Sequence, residues 1–254
     1  MNNCQPIFHK AYSVPLRLRD AVEHELNRLV DTGPIPVRYS EWASPIVVVP
    51  KVDGKIRLCI DCGVTINQFL KTVHYPLPNI EEIFASLANC NFFCVLDLSG
   101  AYQQLKVSEI SQSYLTINTH KGLFQYTRLP FGVSAAPSIF QSVMDQILID
   151  ISNVFCYLDD ILVGGSTIEE CKANLYLVMS RLNHHKVKIN LEKCKFLQQS
   201  VEYLGHILSS NKVQPNPNKI KAILEAPHPT NIQKLQSYLK LINYYPPIYS
   251  KFVI

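Results

Sequence analysis

Residues Val154-Phe155-Cys156-Tyr157-Leu158-Asp159-Asp160-Ile161-Leu162-Val163 set two adjacent carboxylates between two apolar runs. Apolar runs of this length form buried strands, and burying an aspartate is costly unless something neutralises it. A divalent cation is the usual solution, and an Asp-rich hairpin turn is the plainer one. A Tyr-x-Asp-Asp string is expected by chance roughly 0.02 times in a chain of this composition. Asp97 ends another apolar run, Phe92–Leu98, just before Gly100-Ala101-Tyr102. Alone, an aspartate there reads as a helix cap. On a strand next to Asp159-Asp160 it would be the third carboxylate of a two-metal phosphoryl-transfer site, whose ions stand about 3.5–4 Å apart. Oxygen ligands of this kind favour Mg²⁺ or Mn²⁺ over zinc.

Such strands need a core around them, and the composition supplies one. The chain has 254 residues, 47% of them apolar and 17% charged, which excludes a disordered tail and allows one large or two small domains. No apolar run approaches the roughly 20 residues of a membrane span. The polar start, Met1 to Pro6, has no basic-then-apolar leader, so an intracellular protein is expected, with its eight cysteines as free thiols. The net charge of +4 is unevenly spread. Residues 1–168 hold 12 Lys and Arg against 15 Asp and Glu, and residues 169–254 hold 12 against 5. Arg181, Lys186, Lys188, Lys193 and Lys195 form the densest basic run, which is either a solvated face or a surface that meets phosphate.

The pattern along the chain mixes helices and short strands. Val22, Leu26, Leu29 and Val30 predict a helix over 20–30, ended by Gly33-Pro34. Ile46–Val49 and Ile56–Ile60 predict a hairpin around Asp53-Gly54. Asn79 caps a predicted helix carrying Ile80, Ile83, Phe84 and Leu87. Tyr114–Asn118 and Leu123–Arg128 flank His120-Lys121-Gly122 as a second hairpin, and Ser138–Ile149 forms a helix. A helix over 168–182 turns Leu175, Val178, Met179 and Leu182 inward. Strands are expected near Val187–Ile189 and Val201–Leu208. Pro217 starts a short helix, and Thr230-x-x-Gln233 forms a capping box before another that reaches Leu241.

With these motifs in order, the chain resembles the reverse transcriptase of gypsy-type long-terminal-repeat retrotransposons along nearly its whole length. The matching segments begin with Ser40-Glu41-Trp42-Ala43-Ser44-Pro45-Ile46, Val64-Thr65-Ile66-Asn67 and Tyr75-Pro76-Leu77-Pro78. Leu96-Asp97-Leu98-Ser99, Ala101-Tyr102, Thr116 to Gly122, Leu129-Pro130-Phe131-Gly132, Ala136-Pro137 and Phe140-Gln141 follow. Tyr157-Leu158-Asp159-Asp160, Tyr203-Leu204-Gly205-His206 and Asn243-Tyr244-Tyr245 complete them. The resemblance implies an α+β, right-hand polymerase fold. Its fingers would be residues 1–73 and 106–135, its palm 74–105 and 136–210, and its thumb 211–254.

The implied activity is RNA-directed DNA polymerisation, a nucleotidyl transfer of dNTPs to the primer 3′-hydroxyl, with two Mg²⁺ or Mn²⁺ ions held by Asp97, Asp159 and Asp160. Lys51 and Arg57 match triphosphate contacts, with exposed strand charges as the alternative. Tyr102 matches the aromatic under the incoming sugar, or else packs in the core. Phe131 and Gly132 match the nucleotide-pocket loop, where glycine permits close backbone approach. Tyr157, Tyr203, Leu204, Gly205 and His206 match primer and template contacts. The implied partners are an RNA or DNA template with its primer, and dNTPs, without a membrane. Cys59-x₂-Cys62 and Cys90-x₃-Cys94, with His184-His185, raise zinc as a rival, although Cys59 and Cys94 fall in predicted buried strands and the spacing fits no standard finger.

The chain departs from the family pattern at four places. Cys62-Gly63 stands where a Tyr-Lys or Tyr-Arg pair is usual, and a Glu between Ile35 and Pro36 is missing. Lys240 replaces a Gly, and Pro246-Pro247 stands where a basic or small pair is usual, which disfavours helical continuation there. Nothing resembles the protease, ribonuclease H or integrase of such polyproteins. The expectation is a fragment or decayed copy, with a degenerate or domesticated, non-catalytic primer–template-binding domain as the alternative function.

Overall fold

The computed structural model describes residues 4–30, 33–50, 56–71, 75–210 and 212–243. In chain order the helices are α1 (Leu16–Val30), α2 (Ile80–Ser86), α3 (Glu109–Gln112), α4 (Ala136–Ile147), α5 (Ile168–His184), α6 (Pro217–Leu224) and α7 (Ile232–Asn243). The strands are β1 (Pro34–Val37), β2 (Ser44–Pro50), β3 (Ile56–Ile60), β4 (Phe92–Asp97), β5 (Thr116–Thr119), β6 (Gly122–Tyr126), β7 (Val154–Tyr157) and β8 (Asp160–Gly165). β9 (Lys195–Gln198), β10 (Ser200–Tyr203), β11 (His206–Ser209) and β12 (Lys212–Pro215) follow. The chain divides into two compact units, residues 1–76 with 100–143 and residues 77–99 with 144–254.

The first unit is built on a five-stranded sheet in the order β1-β6-β5-β2-β3, with only β2 and β5 parallel. The β2–β3 hairpin forms as its two strand-forming runs predict, and its connection, including Asp53-Gly54, lies outside the described residues. Strand β1 carries Pro34, which reads in the sequence as part of a helix stop, and Pro36. It lies at the sheet edge, where a missing N–H costs no ladder bond. Helix α1 buries Val22, Leu26 and Leu29 and begins a turn before the expected residue 20. Its first turn follows Pro15, a favourable residue at a helix start, and Leu16 is exposed, so hydrophobic periodicity cannot reveal it.

The second unit holds an antiparallel four-stranded sheet, β7-β8-β4-β9, and a three-stranded sheet, β10-β11-β12. A core of Ile83, Phe84 and Leu87 from the α2 region, Phe93 and Val95 from β4, Leu162 from β8, and Val201, Tyr203 and Leu208 lies among these elements. Asn79 caps α2 by accepting the Glu81 N–H at 3.0 Å, and Thr167 caps α5 by accepting the Glu170 N–H at 3.1 Å. The buried face of α5 is Cys171, Asn174, Val178 and Leu182. Leu175 and Met179, predicted inward, are only half-buried. A polar residue takes the inner position because the Asn174 side-chain amide donates to the Gly164 carbonyl at 2.9 Å.

Three other expectations change. Val187–Ile189 is no strand: it contributes one bridge, Ile189 with Leu98, and the paired strand is β9, further along. Val201–Leu208 is two strands, because Leu204 and Gly205, at φ 47° and 76°, turn β10 into β11. Finally, α7 is capped by Asn231 rather than Thr230. The Asn231 side chain accepts the Lys234 N–H at 2.8 Å, leaving the Thr230 hydroxyl to the Lys234 ammonium at 3.1 Å. Among the described residues no helix is long and apolar enough to cross a membrane.

Candidate active site

The three aspartates meet because β4 and β8 are antiparallel neighbours. Their register sets Asp97 opposite Asp160, and the β7–β8 turn, Leu158-Asp159, supplies the third. The Asp159 carbonyl accepts the Leu98 N–H at 2.9 Å, which fastens the turn to the end of β4. Like charges facing each other across a strand pair repel. Asp160 accordingly has its pKa pushed up to about 6, first by burial and then by the charges of Asp97 and Asp159. Lys193 partly offsets this, its ammonium standing 3.6 Å from the Asp97 carboxylate. The segment carrying it is tied to the same strand end, with Asn190 N–H donating to the Asp97 carbonyl at 2.8 Å and Ser99 N–H to that of Lys188 at 3.0 Å. In the sequence Lys193 is one lysine of a basic run, and nothing local marks it as the neighbour of Asp97.

Three hard oxygen donors of one charge suit a Mg²⁺ or Mn²⁺ ion, and a cation would offset both the burial and, after it, the like charges that raise the pKa of Asp160. As the side chains stand, no three His, Cys, Asp or Glu residues among the described ones converge closely enough to hold an ion, so neither the carboxylates nor the Cys59-x₂-Cys62 and Cys90-x₃-Cys94 pairs form a closed site.

Tyr203 and His206 face inward. The Tyr203 hydroxyl donates to the Asp160 carbonyl at 3.3 Å, and burial holds its pKa well above that of an ordinary tyrosine. The His206 ring packs edge-on against Phe84 at 5.2 Å, with Nδ1 3.0 Å from the Leu204 carbonyl; burial lowers its pKa. Of the four residues matched to the primer end, only Leu204 and Gly205 sit at the tip of their hairpin, half-buried. Tyr157 is half-buried against the core cluster, its backbone paired with Asp160.

The first unit gathers another group. The buried Tyr102 ring lies 5.0 Å from Phe131 and 5.4 Å from Phe140. The Arg57 guanidinium stands 5.5 Å from the centroid of the Phe131 ring, within cation–π range. Gly132 has φ 111°, and a Cβ there would lie 2.0 Å from the Ile60 carbonyl oxygen, so the close approach requiring glycine is to the protein's own backbone. Asn67 clamps this loop, donating to the Gly132 carbonyl and accepting the Ser134 N–H, both at 2.9 Å. That role was not legible in the sequence, where Asn67 is one residue of a matching motif. Lys51 lies outside the described residues.

A sheet ending in three carboxylates, beside a strand hairpin that reaches back to them, defines a polymerase-type domain. The model of the family "Reverse transcriptase (RNA-dependent DNA polymerase)" matches residues 49–208, and the chain belongs to that family. It is 38% identical over 240 residues to the uncharacterized protein K02A2.6 of Caenorhabditis elegans, covering 93% of this chain and 19% of that protein. It is 34% identical to the retrovirus-related Pol polyprotein from transposon 297 (94% and 23%) and 32% identical to that from transposon gypsy (95% and 24%), both of Drosophila melanogaster. The chain thus spans about a fifth to a quarter of these relatives. Among solved structures, the foamy viral protease-reverse transcriptase matches with TM-scores of 0.86 in complex with double-stranded DNA and 0.82 with an RNA/DNA hybrid. Identities are 23% and 22%, covering 94% of this chain in both cases and 42% and 32% of the viral chains. The α+β, right-hand polymerase fold is the fold present. Reverse transcriptases generally use divalent metals.

Proposed function

We propose that this chain is the polymerase part of a retrotransposon polyprotein and adds dNTPs to a primer 3′-hydroxyl on an RNA template, inside the cell. The observation that carries the reading is the meeting of Asp97, Asp159 and Asp160 at one sheet end. Asp97 and Asp159 hold both divalent ions and Asp160 completes the set. Bound Mg²⁺ or Mn²⁺ supplies Lewis acidity at the primer hydroxyl and charge neutralisation at the departing pyrophosphate. Arg57 and Lys51 receive triphosphate oxygens, for which the arginine fork is suited. Tyr102, wedged by Phe131 and Phe140, offers a rigid face beneath the sugar. The Leu204-Gly205 turn presses on the primer, and Tyr203 positions that hairpin through the Asp160 carbonyl. In this reading residues 1–73 and 106–135 are the fingers, residues 74–105 and 136–210 the palm, and residues 211–254 the thumb. The foamy viral enzyme's complexes with a DNA duplex and with an RNA/DNA hybrid support a template–primer as the partner.

Primer extension on an RNA template with Mg²⁺ or Mn²⁺ tests this. dNTP addition is expected, with a loss of at least about a hundredfold in Asp159→Asn. No addition by folded protein, or unchanged addition by the variant, would sink it. One observation favours the second reading, a binding domain without catalysis: Gly63 is exposed and carries no side chain where the family pattern has a basic residue. Tight, salt-sensitive primer–template binding without turnover would establish that reading, and measurable turnover would exclude it.

A further inference from the structure

Three residues before Asp97 on β4, Cys94 is completely buried, and its Sγ lies 3.7 Å from that of Cys171, also completely buried, near the start of α5. Two local features create this contact. Gly165 ends β8 so close to α5 that a Cβ on it would lie 2.4 Å from the Cys171 nitrogen, which seats the start of the helix directly on the sheet. On the other side, β9 pairs with β4 through Phe93 with Gln198 and Val95 with Lys195, so Phe196 and Leu197 together oppose the single residue Cys94. This is a bulge, and such irregularities redirect groups rather than merely interrupt pairing. Leu197 adopts φ 50°, a costly conformation for leucine, and its N–H donates to the Cys94 sulfur at 3.2 Å.

Cys94 therefore has a backbone donor on one side and a second thiol on the other. Both favour a charged sulfur and hold the Cys94 thiol below its ordinary range despite burial, while Cys171, facing Cys94, is held above it. We propose that Cys94 and Cys171 form a peroxide-reactive thiol pair that closes to a reversible disulfide tying β4 to α5. The Cys94 thiolate attacks one oxygen of a hydroperoxide, the O–O bond breaks, and with one proton taken up the products are Cys94 sulfenic acid and water (an alcohol from an alkyl hydroperoxide). The Cys171 sulfur then attacks the Cys94 sulfur. The S–S bond forms as the S–O bond breaks, and the hydroxyl leaves as water with the Cys171 proton. One hydroperoxide is reduced and two thiols are oxidised. Because both sulfurs are buried, the reaction waits on local opening and is slow.

Treatment of the folded chain with dilute hydrogen peroxide, followed by thiol blocking and peptide mapping, tests this apart from any polymerase activity. The expected result is loss of two of the eight thiols and of the mass of two hydrogens, a cross-link between the Cys94 and Cys171 peptides, and reversal by dithiothreitol. Cys171→Ala should leave Cys94 as a sulfenic acid trapped by dimedone, and Cys94→Ala should leave Cys171 unreacted. If either variant fails to fold, the map of the unaltered chain decides. Both residues recovered as thiols while the half-buried Cys4, Cys59 and Cys194 oxidise would overturn the proposal, as would a cross-link from Cys171 to Cys90 or reaction in proportion to global unfolding.

Discussion

Replacing Asp160 by Asn should stabilise the metal-free protein at neutral and alkaline pH while removing activity. Asp160 titrates near 6 in the folded chain against 3.8 for a free side chain, raised first by burial and then by Asp97 and Asp159. A raised carboxyl pKa means the folded state binds its proton more tightly than the unfolded one. The associated stability is fully present below about pH 4 and is lost as pH rises through about 6. Two pKa units correspond to about 3 kcal/mol. Asp160 is only partly buried, and discounting for solvent screening leaves about 1–2 kcal/mol. Asn has nearly the same shape and no charge to bury. In EDTA and low salt, urea unfolding followed by circular dichroism should find Asp160→Asn more stable than wild type by about that amount at pH 8, with the difference vanishing near pH 4. Saturating Mg²⁺ should narrow the gap by stabilising wild type more than the variant. A gain independent of pH, or a variant less stable than wild type at pH 8, would refute the reasoning, because the predicted penalty belongs to ionised Asp160 alone.

Two further substitutions separate backbone need from nucleic-acid contact. Gly132→Ala places a Cβ 2.0 Å from the Ile60 carbonyl oxygen at φ 111°, and no rotamer can relieve a Cβ clash. Stability should fall by about 3 kcal/mol or more, and a urea midpoint close to wild type would show that the loop and β3 can part at little cost. Gly63→Lys should fold normally, since Gly63 is exposed and the nearest atom to a new Cβ is an Asp61 carboxylate oxygen at 3.2 Å. Primer–template affinity should rise, with the slope of log K against log salt steepening by about one unit; an unchanged slope would place residue 63 off the nucleic-acid path.

Features legible in the sequence were those written in a few consecutive residues. Apolar runs exposed β4, β7 and β8, the strand-forming runs either side of Asp53-Gly54 exposed β2 and β3, and Asn79 announced the start of α2. Positions fixed by register between distant segments were not. Asp97 and Asp160 are 63 residues apart, and only the β4–β8 pairing makes them neighbours. The family resemblance, rather than periodicity, brought them together in advance. Lys193, Asn67 and the bulge at Leu197 depend on how loops return to a sheet, which no local pattern encodes. The same resemblance aligned Tyr203 and His206 with the primer end but could not show that both turn into the core.

Leucine in the left-handed region explains the remaining error and bears on function. Leu158 and Leu204, at φ 54° and 47°, each open a hairpin turn in which Asn or Gly would be cheaper by about 1 kcal/mol. A reader of sequence takes leucine as a strand residue, which is why residues 201–208 read as one strand. These two turns are the ones that present Asp159 and Gly205, at the carboxylate cluster and at the proposed primer contact. Strain persists where the surrounding structure over-determines it, and it gathers at sites under functional constraint. Here the over-determination is visible: the Asp159 carbonyl is bound by Leu98 N–H, and Tyr203, at the end of β10, is bound to the Asp160 carbonyl. The strained turns and the crowded carboxylates thus share hydrogen bonds, so a change that relaxes either turn should disturb the spacing of the three aspartates before it disturbs the fold.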